Sequence, residues 1–213
     1  MVHRTPFFLP LLYPSLTWRM PEHGKELYLT FDDGPVSGPT EFVLETLKKF
    51  NAKATFFCIG ENIRKHSAVF KKIVAQGHAI GNHTFNHLNG WKTSAGDYYK
   101  NVILCKDEID GQLQEMEAAS PSMLFRPPYG RISRHQVKTL SSFKIIMWDV
   151  LSVDYNKNLL PEKCLKNTIG ATRPGSIIVF HDSYKAEKNL QFVLPRFIEH
   201  QLEKGCIFKK IDV

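Results

Sequence analysis

Short apolar runs alternate along the chain with longer segments whose apolar positions recur every three or four residues, which is the pattern of repeated β-α units. The runs predict strands over 27–31, 54–59, 78–80, 144–148, 176–180 and 206–211, with a brief one ending at Phe125. Between them, helices are expected over 40–50, with Thr40 as N-cap and Val43, Leu44 and Leu47 on one face, and over 67–76, closed by Gly77. Further helices are expected from 94 to about 117, from Ser133 to about 140, from Pro161 onward and over 190–204, with a turn at Ser120-Pro121. Six or seven β-α units result. A parallel barrel built from them would hold its chemistry at the carboxyl ends of its strands.

Polar residues fall at those ends with regularity. Asp32-Asp33 follows Phe31, His83 to His87 follows Ile80, and Arg126-Pro127-Pro128-Tyr129 follows Phe125. Asp149 and Asp154 follow Trp148, and His181-Asp182 follows Phe180. Two histidines four apart, His83 and His87, share one face if they lie on a helical turn, and Asp33 from another segment completes a two-histidine, one-carboxylate set for an ion. Alone, that spacing is also met where no metal binds, and Asp followed by Gly34-Pro35 is also ordinary turn chemistry. Together they divide the labour of a hydrolase: Asp33 binds the ion, while Asp32 stays free to take a proton from water that the cation acidifies. Arg126, stiffened by two prolines, suits a carboxylate partner, and His181 beside Asp154 would be placed to protonate a leaving amine.

Composition narrows the setting. The 213 residues are 43% hydrophobic with no break in character, which predicts one domain over 1–213. A formal charge of +7, spread along the chain, gives a basic surface with a bias toward anionic partners, although no nucleic acid is expected. Cys58, Cys105, Cys164 and Cys206 lie far apart in apolar contexts and are expected as buried free thiols. No apolar stretch reaches the roughly 20 residues that span a bilayer. The segment 1–14 is interrupted by prolines and has no cleavage-site pattern, so no signal peptide is expected and the default location is cytoplasmic.

The ordered segments Thr30-Phe31-Asp32-Asp33-Gly34-Pro35, His83-Thr84-Phe85-Asn86-His87, Arg126-Pro127-Pro128-Tyr129-Gly130, Asp154-Tyr155 and Val179-Phe180-His181 resemble the five motifs of the polysaccharide deacetylases, carbohydrate esterase family 4. The resemblance runs over 27–182 and implies an α/β fold, a distorted (β/α) barrel of seven or eight strands. It also implies a zinc-dependent deacetylase acting on N-acetylglucosamine residues of chitin, peptidoglycan or related glycans, with cobalt or nickel as other ions that suit the ligands. By position, Asp33, His83 and His87 would hold the metal and Asp32 would be the general base, held by Arg126. The backbone N–H of Tyr129 would help stabilise the oxyanion, and His181 would be the general acid, tuned by Asp154. Tyr155 stands where the family commonly has Trp, and Val179 where it commonly has Leu; by the resemblance both line the pocket for the acetyl methyl group. Trp91 is expected as a sugar-stacking platform, whereas Trp148 and Phe180 are expected in the strand core. Two other readings stay open: a deacetylase of a small amide or O-acetyl ester, and a non-catalytic carbohydrate- or nucleic-acid-binding domain with a vestigial pocket.

Overall fold

The computed structural model describes residues 3–119 and 123–212, so the turn expected at Ser120-Pro121 lies outside the described residues. A short helix α1 (Phe8–Leu12) precedes the first strand, β1 (Glu26–Asp32), which is followed by α2 (Pro39–Lys49) and β2 (Ala54–Cys58). Helices α3 (Gly60–Lys65) and α4 (Ser67–Ala75) lead to β3 (Ala79–Asn82), and the 21-residue α5 (Ala95–Glu115), capped by Ser94, leads to β4 (Leu124–Phe125). The chain continues through α6 (Arg134–Thr139), β5 (Lys144–Ile145), β6 (Val150–Leu151) and α7 (Pro161–Ala171). It ends with β7 (Ile177–His181), α8 (Glu187–Glu203) and β8 (Ile207–Phe208).

The strands lie side by side in the order β5-β4-β3-β2-β1-β7-β6, every pair parallel, with β8 alongside the start of β1. This is the curled parallel sheet, flanked by helices, that the β-α alternation predicts. All seven residues of β1 are buried because it sits at the centre with other layers on both faces, which is why parallel strands read as unbroken apolar runs. The Phe31 ring stacks 5.0 Å from that of Phe56 and 6.2 Å from that of Phe180, locking the three central strands at one level. Between β5 and β6 the sheet does not close on itself. There the N-terminal segment intervenes, with Thr17 pairing with Ile146 and Arg4 with Val150.

Three expectations need correction. The strand expected over 144–148 ends at Ile145, because the carbonyls of Ile146 and Met147 accept hydrogen bonds from the Arg126 guanidinium instead of continuing a ladder; the chain re-enters the sheet as β6. Thr40 is not an N-cap. Gly38 takes that position with φ 86° and Pro39 opens the helix, leaving the Thr40 hydroxyl to accept from the Val36 N–H and to bond the buried Asp182 carboxyl at 2.6 Å. The strand expected over 206–211 pairs only at β8. The cysteines are free as expected, three buried and Cys206 half-buried.

Asp182 ties together the loop that follows β1. Its N–H donates to the Asp32 carbonyl (3.2 Å) and its carboxyl accepts from the Gly34 N–H (3.0 Å). A methyl group at Gly34 would lie 2.0 Å from the Asp182 carboxyl, so only glycine fits there. Burial pushes the Asp182 pKa up to about 8.

Two outcomes follow from this packing. Phe31→Ala, which empties the centre of the aromatic stack, should cost about 3–5 kcal/mol in urea unfolding. A carboxyl whose pKa is raised in the folded state holds its proton more tightly folded than unfolded. The Asp182 contribution to stability is therefore complete below the ordinary carboxylate pKa of roughly 4 and is lost as pH climbs through about 8. Asp182→Asn, neutral at every pH, should flatten that decline, and unfolding midpoints of the variant that track the wild type across this window would contradict it.

Candidate metal centre and catalytic cleft

The strand ends converge on a cavity of about 390 Å³ lined by Asp32, Asp33, His83, His87, Pro127, Tyr129, Trp148, Leu151, Tyr155, Val179, His181 and Lys185. Nine of these were expected from sequence as site residues or lie within the motifs that carry the resemblance; Trp148, Leu151 and Lys185 were not. Trp148 was expected in the core; it packs against two core clusters with part of its ring and faces the cleft with the rest. Trp91 lies outside the lining. It is 68% exposed, with Arg131 stacked over its ring and its indole N–H donated to the Ile132 carbonyl.

At the centre, one ligand atom each from Asp33, His83 and His87 lies within 4.8 Å of the others. Asp33 Oδ1 is 3.2 Å from His87 Nε2 and 3.7 Å from His83 Nε2. The far ring nitrogens are already engaged, His83 Nδ1 with the Arg126 carbonyl (2.8 Å) and His87 Nδ1 with the Tyr129 hydroxyl (3.1 Å). Such outer contacts fix ring orientation and turn both Nε2 atoms toward the carboxylate, the arrangement a divalent ion requires. Burial lowers the His83 pKa to about 4, which keeps the imidazole in its neutral, ligating form. Burial alone would raise the Asp33 pKa, but the imidazoles of His87, His181 and His83 outweigh it and hold the carboxyl well below the usual range. These residues fit a metal ion.

The two histidines do not sit on a helical turn, as their spacing had suggested. They belong to a loop after β3 in which Thr84 and His87 adopt left-handed backbone (φ 63° and 55°). Side chains hold it: Asn82 accepts from the Thr84 N–H, Asn101 on α5 accepts from the Phe85 and Asn86 N–H groups, and the Thr84 hydroxyl accepts from the Leu88 N–H. Sequence reasoning missed Asn82 and Asn101; their only signal is that asparagine commonly makes such local turns.

Two ionic pairs flank the centre. Arg126, fully buried, donates from Nη1 to Asp32 Oδ1 (2.7 Å) and to the Thr30 hydroxyl (2.7 Å), and from Nε and Nη2 to the carbonyls of Ile146 and Met147, while its guanidinium lies 4.1 Å from the Phe57 ring centre. On the other side, both oxygens of the buried Asp154 accept from His181, one from its Nδ1 (2.7 Å) and one from its backbone N–H (2.8 Å). Burial favours the neutral ring, but the Asp154 charge prevails and lifts the His181 pKa to about 9. With Nδ1 committed to Asp154, Nε2 is the nitrogen left for the cleft. Trp148, Leu151, Tyr155 and Val179 supply an apolar wall beside it, and the Tyr155 ring meets the His181 ring edge-on at 4.9 Å. Asp149, also expected as a strand-end candidate, is instead structural, bound by Arg173 and Ser176.

The geometry agrees with what comparison finds. The family model described as Polysaccharide deacetylase matches residues 19–148. A peptidoglycan-N-acetylglucosamine deacetylase of Bacillus cereus is 40% identical over 76% of this chain and 58% of its own length. The peptidoglycan-N-acetylglucosamine deacetylase PgdA of Listeria monocytogenes is 34% identical over 76% of the chain and 33% of its length, so the chain spans roughly a third to three fifths of these relatives. Among solved structures, the Bc1960 peptidoglycan N-acetylglucosamine deacetylase superposes with a TM-score of 0.87 at 32% identity, covering 97% of this chain and 95% of that one. A family model over more than half of the chain, a relative at 40% identity and a shared fold lead to one statement: the chain belongs to the polysaccharide deacetylase family.

Proposed function

We propose that this chain is a metal-dependent hydrolase that removes acetyl groups from N-acetylglucosamine residues of a glycan such as peptidoglycan or a chitin-like oligomer. The observation that carries the reading is the pair of opposed ionic couples, Arg126–Asp32 and Asp154–His181, on either side of the Asp33, His83 and His87 cluster in one cavity. An amide carbonyl is a weak electrophile and an amine a poor leaving group. Hydrolysis therefore needs polarisation, an activated water and a proton donor together.

Asp33, His83 and His87 would hold a divalent cation, with zinc the leading candidate for two imidazoles and a carboxylate, and cobalt and nickel also suited. Bound there, the cation supplies Lewis acidity to the carbonyl and lowers the pKa of water beside it. Asp32 takes the proton of the attacking water. Arg126 keeps that carboxylate oriented, and its own hydrogen bonds to Thr30, Ile146 and Met147 stop it from swinging away. Tyr129, in left-handed backbone at φ 60°, offers its N–H to the developing oxyanion. The acetyl methyl group rests against Leu151, Tyr155, Val179 and Trp148. His181, an imidazolium through neutral pH, donates from Nε2 to the departing amine, and Asp154 keeps it charged.

Acetate release from N-acetylglucosamine oligomers or peptidoglycan fragments tests the reading. Asp32→Asn should lower kcat by about 10²–10⁴ while the metal content of the protein is retained, and chelation should abolish turnover until zinc is restored. No release from any such glycan by the metal-loaded chain would sink the proposal. The pH profile tests the acid: activity should fall on the alkaline side as His181 loses its proton, and Asp154→Asn, which removes the charge that raises that pKa, should move the limb downward by about a unit or more. An unmoved limb would take the acid role away from His181.

A further inference from the structure

The charges in the cleft are matched, with one exception. Asp32 is neutralised by Arg126, Asp154 by His181, and Asp33 lies against the two metal-site imidazoles. Lys185 is left over: it is exposed, it lines the same cavity, and among the described residues no carboxylate lies within salt-bridge distance of it. Its Nζ instead sits 5.2 Å from the centre of the Tyr155 ring, the ring that meets His181 edge-on. Lys185 and His181 thus lie against the same ring within one cavity.

Its place in the chain runs against local preference. Lys185 precedes α8 by two residues, and a helix N-terminus favours anions and disfavours cations. The first turn of α8 does hold an acid, Glu187, but its carboxylate accepts from Gln191 and does not reach Lys185. Lys185 therefore puts on the cleft wall a positive charge that, among the described residues, no carboxylate answers.

Sugar chemistry identifies what would. The acetamido group of a 2-acetamido sugar is on C2, and an acidic ether on the neighbouring C3 is vicinal to it. When the amide lies between Asp32 and His181, such a carboxylate is carried into the cleft with it, because C2 and C3 are adjacent ring carbons. On the reading of this site as an N-acetyl glycan deacetylase, we propose that Lys185 is a specificity-determining residue that selects glycans carrying a carboxylate beside the acetamido group over neutral N-acetylglucosamine polymers. The carboxylate belongs either to the sugar being deacetylated or to its neighbour in the polymer; the ion pair is the same.

Binding separates this from turnover. The affinities of wild type, Lys185→Met and Lys185→Arg are measured calorimetrically for two soluble tetrasaccharides, a neutral N-acetylglucosamine tetramer and a peptidoglycan-derived one with free C3 lactyl carboxylates. Wild type should prefer the acidic ligand, and Lys185→Met should reduce that preference by about three- to fivefold, the upper end of the scale for an exposed ion pair. Lys185→Arg should keep it, and raised salt should shrink it in wild type. No wild-type preference, or a preference within twofold of wild type in Lys185→Met, overturns the proposal. Methyl esterification of the lactyl groups should reproduce the Lys185→Met result on unmodified protein. Acetate release is scored separately: if wild type binds as expected but releases none, the deacetylase reading fails while the role of Lys185 stands. Mass analysis of released products shows which sugar lost its acetyl group and so which carboxylate Lys185 meets.

Discussion

The ion pair between Arg126 and Asp32 is the constraint around which the cleft is arranged. A guanidinium and a carboxylate taken wholly out of water each lose several kcal/mol of hydration, which is offset only where geometry and further hydrogen bonds are good. Here Arg126 spends its donors on Asp32, Thr30 and the carbonyls of Ile146 and Met147, and its flat face on Phe57. To present those carbonyls, the chain leaves the sheet after Ile145 and returns as β6. The break between β5 and β6, where the N-terminal segment pairs, coincides with the carbonyls that satisfy this buried cation. The carbonyl of Arg126 itself then fixes His83, so Asp32 and the cluster of Asp33, His83 and His87 share a single anchor.

Around this anchor the backbone is strained where chemistry is proposed: five of the seven non-glycine residues with positive φ among the described residues lie in the loops that follow the strands at the cleft, and Asn51 and Glu117 lie elsewhere. Asp33, Thr84, His87, Tyr129 and Val153 all have φ near 55–81°, a region that side-chain-bearing residues seldom occupy, and Val153, which is β-branched, occupies it least willingly. Each costs of order 1–3 kcal/mol and persists only where surroundings over-determine it. The surroundings are visible: Asn62 donates to the Asp33 carbonyl, Asn82 and Asn101 hold the histidine loop, and Ser152 and Asn189 secure the two ends of the Asp154 residue. Much of the polar framework under the cleft therefore serves to hold backbone in shapes it would otherwise leave.

This explains which features sequence revealed. Central strands were legible because β1, β2 and β7 are buried on both faces and must be continuously apolar, and α5 because Ser94 and a long periodic segment announce it. The clustering of Asp33, His83 and His87 was legible for a reason that proved incorrect. His83 and His87 do reach one carboxylate, but by a left-handed loop and not by helical spacing. The two-residue strands β5 and β6 were illegible because their limits are set by Arg126, more than 15 residues away, and the N-cap assigned to Thr40 failed because a tertiary partner, Asp182, claims its hydroxyl. Leu151 and Lys185 carry no motif, and only the curvature of the sheet brings them to the cavity.

The same physics separates two pairs of neighbouring titratable residues, His181-Asp182 and Asp32-Asp33. Successive residues of a strand point to opposite faces. At the end of β7 that rule holds: His181 faces the cleft, while Asp182 turns away to bond Gly34 and Thr40. At the end of β1 it is broken, since Asp32 and Asp33 both line the cavity. The difference is the φ of 81° at Asp33, which reverses the expected turn of its side chain. That conformation is held in part by Asp182, whose carboxyl binds the next N–H and leaves Gly34 no room for a side chain. The residue that obeys the strand alternation is thus what helps Asp33 to violate it, and two carboxylates adjacent in sequence can both face one cavity.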